Sequence, residues 1–308
     1  MEINLIGVTY FVKVEWVALA LAEGMTPKLF QTLISFFGSP ENALSADVEE
    51  LTSVSCSKEV AVSIKQQNER LHEIETVLSW LNQIGVKVLT LNDEQYPTNL
   101  RLIEDAPPVI FVRGQLLPTD VRSVAIVGSR AATPQGLKLA KEIASAFAEK
   151  GWTVVSGLAV GIDTAAHIGA IEAGGRTIAA LGSGILVPEN PDLASQIEVS
   201  GALISELPPS AGVSVKNWLR RNRLVTGLSV GTLMIEGAEK SGSVHAATTA
   251  LKQKRLLFIV AWDDEHPLHI GNKKLAQKAT LTIPPDKCFA EKILQLMEQH
   301  LLPIHSQG

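Results

Sequence analysis

The sequence of 308 residues predicts an α/β fold: a mostly parallel sheet flanked by helices over residues 81–308, preceded by a small all-helical domain over residues 1–80. Three observations carry this. Val124-Ala125-Ile126-Val127, Trp152-Thr153-Val154-Val155 and Thr177-Ile178-Ala179-Ala180-Leu181 are continuous apolar runs of strand length, separated by helical patterns. Such runs mark strands buried on both faces of a parallel sheet. Each run ends in a glycine loop: Gly128-Ser129-Arg130, Ser156-Gly157-Leu158-Ala159-Val160-Gly161 and Gly182-Ser183-Gly184. Residues 1–70, by contrast, read as short helices.

Within those helices, Trp16, Val17, Leu19, Ala20 and Leu21 form an apolar face that stops at Gly24. Thr26 and Pro27 read as a cap and a first-turn proline for a helix ended by Gly38. Ser39-Pro40 opens another helix to Leu44, and Val48, Leu51 and Val54 mark a fourth. Two helices around a glycine hairpin can seat a phosphate backbone, as helix-hairpin-helix and SAM-like modules suggest. Glu23 places an acid in this hairpin, so a packing role is expected instead. A single helix is predicted from about Ser57 to Ile84, ended by Gly85.

Val86 to Leu91 and Val109 to Val112 read as strands, with Tyr96-Pro97 between them and Tyr96 expected to pack. The central segment follows, with helices over Leu137 to Phe147 and about Asp163 to Glu172. Ala202 to Glu206 is a further strand, and Pro208 to Lys216 a long polar loop. Gly231 to Glu236 reads as a strand. The loop Lys240-Ser241-Gly242-Ser243 then opens a helix from Ala246 to Leu251. Leu256 to Val260 is the last buried strand, and a helix follows Ala290.

The charge balance of 27 basic against 32 acidic residues excludes a uniformly basic nucleic-acid coat and allows a local patch. Cys56 and Cys288 have no metal-ligand spacing and read as thiols in a reducing compartment. The N-terminus lacks a basic start and no apolar run reaches membrane-spanning length, so a cytoplasmic protein is expected.

In a parallel sheet the ligand sits beyond the carboxyl ends of the strands, where these loops gather. Each loop feeds a helix N-terminus, whose free N–H groups and positive dipole end favour an anion. Several such loops side by side make a surface for phosphate. A P-loop is absent, since no loop carries Gly-Lys-Ser/Thr. The dinucleotide fingerprint fails too, because Val187 stands where the third glycine belongs after Gly182-Ser183-Gly184. ATP hydrolysis and NAD chemistry are therefore disfavoured, and no cofactor or metal is expected.

From Val213 to Trp262 eight basic residues face two acidic ones, a cationic island in an acidic chain. Arg220, Arg221 and Arg223 beside Trp218 offer guanidinium forks for phosphate and a ring for stacking.

These motifs, in this order, resemble the DprA/Smf family of DNA-processing proteins. The resemblance is carried by Val127-Gly128-Ser129-Arg130, Ser156-Gly157-Leu158-Ala159 with Gly161-Ile162-Asp163 and Ala166-His167, Gly201 to Ser205-Glu206, Arg221-Asn222-Arg223, and Ser241-Gly242-Ser243. It implies an extended Rossmann-like domain without catalysis that binds and protects single-stranded DNA, loads a RecA-type recombinase during natural transformation, and forms homodimers. Carried over by position, Gly128, Ser129 and Arg130, together with Gly157, Leu158, Ala159 and Gly161, would grip phosphates. Arg221 and Arg223 would be further backbone contacts, and Asn222 would brace the loop. Ser241, Gly242 and Ser243 would donate hydrogen bonds, while Asp163 and His167 would shape the loop. The chain departs from the family pattern at Leu219, at Ala246 and at Ala261-Trp262, where the family usually has proline, threonine and Pro-Gly.

Two other readings use the same loops. One is a sensor that binds a nucleotide. The other is a nucleoside-monophosphate hydrolase related to the Lonely-guy enzymes, for which the helix after Ser241-Gly242-Ser243 lacks an acid until Asp263.

Overall fold

The computed structural model describes residues 5–305, with the side chains of 13–286 and 288–301. The chain divides into two compact units. One comprises the chain up to Tyr96 with Asp105–Val112 and Glu206–Pro208; the other comprises Pro97–Glu104, Arg113–Ser205 and the chain from Pro209 on.

The first unit opens with the helices α1 (Leu5–Ala20), α2 (Pro27–Phe37), α3 (Pro40–Ser45), α4 (Val48–Ser53), α5 (Lys58–Glu69) and α6 (Leu71–Gln83). The caps foreseen for α2 are present: the Leu29 N–H donates to Thr26 Oγ1, Pro27 takes the first turn, and Gly38 closes the helix at φ +82°. Trp16 and Phe30 pack with ring centroids 5.0 Å apart. The Glu23 N–H donates to Ser63 Oγ, so this hairpin amide is satisfied within the unit. The single helix expected over 57–84 is instead α5 and α6. Arg70 leaves helical geometry (φ −104°, ψ 11°) after Gln66-Gln67-Asn68-Glu69, a polar run with no apolar anchor to carry the helix through.

β1 (Lys87–Thr90), α7 (Thr98–Arg101) and β2 (Val109–Gly114) follow. β1 and β2 pair antiparallel, with Lys87 opposite Val112 and Thr90 opposite Val109. Tyr96 packs as expected: it is buried and its hydroxyl donates to the Pro107 carbonyl.

The second unit carries β3 (Ser123–Val127), α8 (Pro134–Glu149), β4 (Thr153–Ser156), α9 (Ile162–Glu172), β5 (Thr177–Ala180), α10 (Pro191–Ser200), β6 (Ala202–Ser205), α11 (Val215–Gly227), β7 (Gly231–Met234), α12 (Gly242–Lys252), β8 (Leu256–Val260), α13 (Ile270–Leu275), β9 (Leu281–Ile283) and α14 (Ala290–His305). Its strands run in the order β6-β5-β4-β3-β7-β8-β9, each adjacent pair parallel. All residues of β3, β4, β5, β6 and β7 are buried, as their unbroken apolar runs require. In this unit α13, β9 and the first turn of α11 were not foreseen. β9 is three residues long, too short for a periodic signal, and α11 begins at Val215, inside the stretch expected to be loop.

The chain travels outward from β3 through β4 and β5 to β6, then returns to place β7 on the other side of β3. Right-handed crossovers therefore put α8 and α9 on one face of the sheet and α11 and α12 on the other. The first face holds the main core, where Ile143 and Phe147 of α8, Ala166 of α9 and Ile293 and Met297 of α14 meet Ile126 and Phe258. The reversal between β3 and β7 is a topological switch point, the place where open α/β sheets leave a crevice at their carboxyl edge.

Candidate nucleic-acid interface

A cleft of about 740 Å³ opens at that switch point. One wall is the loop after β3, with Gly128, Ser129 and Arg130. The opposite wall is the start of α12, with Lys240, Ser241, Gly242 and Ser243. The third is a face of α11 carrying Val215, Trp218, Leu219 and Asn222, with Arg221 and Asp163 behind it. The α11 residues follow i, i+3, i+4, i+7 spacing, which places them on one side of the helix.

The helix ends fed by the loops at 128–130, 157–161 and 240–243 differ. At α8 the end is closed by the protein itself: the Glu236 carboxylate accepts from the Thr133 N–H at 2.9 Å and lies 2.5 Å from the Thr133 hydroxyl. It is wholly buried and occupies the space a Cβ at Gly136 would need. The end of α9 is packed under the first loop. Its Ile162 N–H donates to the Ser129 carbonyl, and Gly161 (φ +85°) has that same backbone where a side chain would go. Only α12 presents its end to the cleft. Ser241 caps the Val244 N–H, leaving the Gly242 and Ser243 N–H groups as that helix's open donors. The Ser241 and Ser243 hydroxyls lie 2.8 Å apart, and Ser243 donates to the Glu236 carbonyl, so both hydroxyls are engaged in shaping the turn.

The arginines separate as helical spacing dictates. Arg221 forms the floor, buried, with Nη1 3.7 Å from Asp163 Oδ2. Its guanidinium fills the space beside Gly157, where any side chain would collide with it. Burial pushes the Asp163 carboxyl upward in pKa while Arg221 opposes that shift. A guanidinium stays protonated under these conditions, so Arg221 brings its positive charge against the Asp163 carboxyl. Arg223, two residues further round α11, is buried and does not line the cleft; its carbonyl accepts from Gln253 Nε2. The expected pair of arginine contacts at 221 and 223 is thus not an exposed pair.

Arg220 is exposed but does not line the cleft; Arg130 is the exposed guanidinium of the lining, and its central carbon sits 3.7 Å from the centroid of the Trp218 ring. Trp218 is in turn fixed by its indole N–H, which donates to Glu189 at 2.6 Å. Asn222 joins the walls, donating from Nδ2 to the Gly242 carbonyl at 3.0 Å. Lys240 is exposed at the rim, as is His245, whose pKa is lowered by partial burial and by Lys252.

The remaining predicted residues lie behind the lining. Leu158 is buried in a left-handed conformation (φ +62°), a position in which a non-glycine residue stores strain. Ala159 reaches the cleft; Gly157, Leu158 and Gly161 do not. His167 is fully buried, with Nδ1 2.6 Å from the Thr177 hydroxyl, and burial lowers its pKa to about 3, with Arg221 adding to the shift. The sequence reading passed over Glu236 and Lys240 as site residues. A carboxylate two residues beyond an all-buried strand was the available signal for Glu236.

The family model described as DNA recombination-mediator protein A matches residues 87–293. DNA processing protein DprA of Bacillus subtilis is 34% identical over 269 residues, covering 86% of this chain and 90% of its own. Protein Smf of Escherichia coli is 35% identical over 71% of this chain, which spans 60% of that relative's length. Among solved structures, DprA of Streptococcus pneumoniae superposes with a TM-score of 0.74 at 24% identity over 94% of this chain and 99% of its own. A structure described as giving insights into the single-stranded DNA binding mode of DNA processing protein A from Helicobacter pylori superposes with a TM-score of 0.60 at 25% identity, covering 68% of this chain and 96% of its own. This chain belongs to the DNA recombination-mediator protein A family, the DprA/Smf proteins.

Proposed function

We propose that the cleft at the β3/β7 switch point binds the phosphodiester backbone of single-stranded DNA and holds it without cutting it. The observation that carries this is the convergence on one open cleft of the exposed Arg130, Lys240 and the unoccupied N-terminal end of α12. Arg130 and Lys240 supply charge, and the Gly242 and Ser243 amides supply directional donors. The cleft reads no base edges with a fixed donor pattern, so little base preference is expected. Gly128, Ala159 and Ser129 give the strand close access to backbone. Asp163, His167, Gly157, Leu158 and Gly161 hold that surface in shape from beneath, and Arg221 supports it electrostatically.

Membership of the family and the Helicobacter pylori relative support this reading. The same membership extends the proposal to protection of the strand, loading of a RecA-type recombinase, service in natural transformation, and action as a homodimer in the cytoplasm. The deciding experiment is a salt-titrated binding assay comparing an oligonucleotide, its duplex and nucleoside monophosphates. Single strands are expected to bind best, with affinity falling as salt rises. Tight, salt-insensitive binding of a mononucleotide alone would favour the sensor, for which the cleft volume is also suited. Release of free base from a monophosphate would favour the hydrolase; against it, Glu236 is buried and committed to Thr133 and His269, and Glu239 is paired with Lys274.

A further inference from the structure

Behind the cleft lies a histidine that the strand-binding reading does not use. His269 is buried, and each of its ring nitrogens faces a carboxylate: Nδ1 is 2.5 Å from Asp264 Oδ1, and Nε2 is 3.2 Å from Glu236 Oε1. Its ring lies flat on the Trp262 indole, centroids 4.4 Å apart and planes within 7°. A neutral imidazole has one N–H and one lone pair, so with both carboxylates ionised one of them would meet a lone pair; the imidazolium donates to both. An aromatic face stacked on the ring favours the same cation.

The other charged groups nearby do not compete for it. His266, 5.2 Å away between ring centroids, accepts the Leu268 N–H at Nδ1. On the adjoining helix, Lys273 pairs with Glu265 and Lys274 with Glu239. Hydrogen bonding from His269 holds the Asp264 carboxyl below its ordinary pKa.

What this ring holds matters for the cleft. Glu236 takes the Thr133 N–H and hydroxyl, and Thr133 is the residue at which the Arg130 loop becomes α8. The Trp262 indole N–H and Asn272 Nδ2 both donate to the Ile235 carbonyl, tying the 262–272 segment to the end of β7. We propose that His269, clamped as an imidazolium between Asp264 and Glu236, is a proton-dependent positioning residue that holds the Arg130 loop in its strand-binding place. Protonated, it neutralises Glu236 and keeps that carboxylate aimed at Thr133. On deprotonation Glu236 becomes a buried charge without a cationic partner, and the α8 start loosens with the loop before it.

The proposal rests on the cleft reading given above, and two readouts keep them apart. Histidine side-chain ¹⁵N NMR of the full chain, assigned with His269→Gln, reports the ring directly; protonation of both nitrogens at neutral pH is expected. A neutral single tautomer, with the proton on Glu236, overturns the proposal. Oligonucleotide affinity across the pH range of that ring's titration is expected to fall roughly fivefold as the proton is lost. The pH step should vanish in His269→Gln and, as a second variant should that one fold poorly, in Glu236→Gln. An unchanged pH step in either folded variant overturns the relay. Arg130→Ala serves as the separate control: if it leaves affinity unchanged, the cleft reading fails, whereas the NMR result still judges the clamp.

Discussion

Asp163 and Arg221 face each other 3.7 Å apart at the bottom of the cleft, with both side chains nearly closed off from solvent. A buried pair of this kind resists loss of one member far more than its presence stabilises, because the remaining charge is left without compensation.

Arg221→Ala is therefore expected to lower thermal stability, by about 3–5 kcal/mol, before any DNA is added. Denaturant unfolding of the free protein measures this. Arg221→Ala unfolding like the parent would remove the ion pair from the stability account.

Charge lost from the cleft rim should act on binding alone. Arg130→Ala and Lys240→Ala are each expected to weaken all single-stranded sequences alike and to flatten the log affinity against log salt slope by about 0.7. A preference that shifts with base composition in either variant would contradict a backbone contact.

Trp218 holds Arg130 over its ring face, so the two should be coupled. Combining Arg130→Ala with Trp218→Ala is expected to cost less than the sum of the single losses, by about 0.5–2 kcal/mol. A double-mutant cycle on oligonucleotide affinity gives the number, and strict additivity would mean that the stack does not orient the guanidinium.

His167 is buried neutral with a pKa of about 3, below the value of about 6.5 it has when unfolded. Between those values the unfolded chain binds the extra proton, so its contribution is complete above about pH 6.5 and is lost as the pH falls towards 3, with a slope of at most about 1.4 kcal/mol per pH unit. His167→Gln should flatten this acid limb in unfolding experiments. An acid limb as steep as the parent's would assign it to other groups.

Much of the second unit was legible because buried parallel strands leave unbroken apolar runs; β8 was read with its observed bounds. The glycine loops were legible as positions, but their roles were not equivalent. Gly157 makes room for Arg221, Gly161 for the Ser129 backbone, and Gly128 for Ile162, and none of these tertiary partners is adjacent in sequence. Charge runs mislead for a related reason. Arg220, Arg221 and Arg223 look like one patch on paper, whereas a helix turns about 100° per residue and sends neighbours to different environments. For Glu236 the strand-end position was a signal, but its role was not legible, because its partners Thr133 and His269 lie far from it in the sequence. Ala261-Trp262, noted only as a departure from the family pattern, proved to supply the indole stacked on His269.

β3 and β7 are hydrogen-bonded neighbours, yet about half of the domain is synthesised between them. A chain still emerging from the ribosome with β3 to β6 complete would carry Arg130 but neither Trp218 held against it nor the α12 amides opposite. If the proposed cleft is the binding site, capacity to hold a strand arises late in synthesis, and a nascent or prematurely terminated product lacks the walls that would hold it.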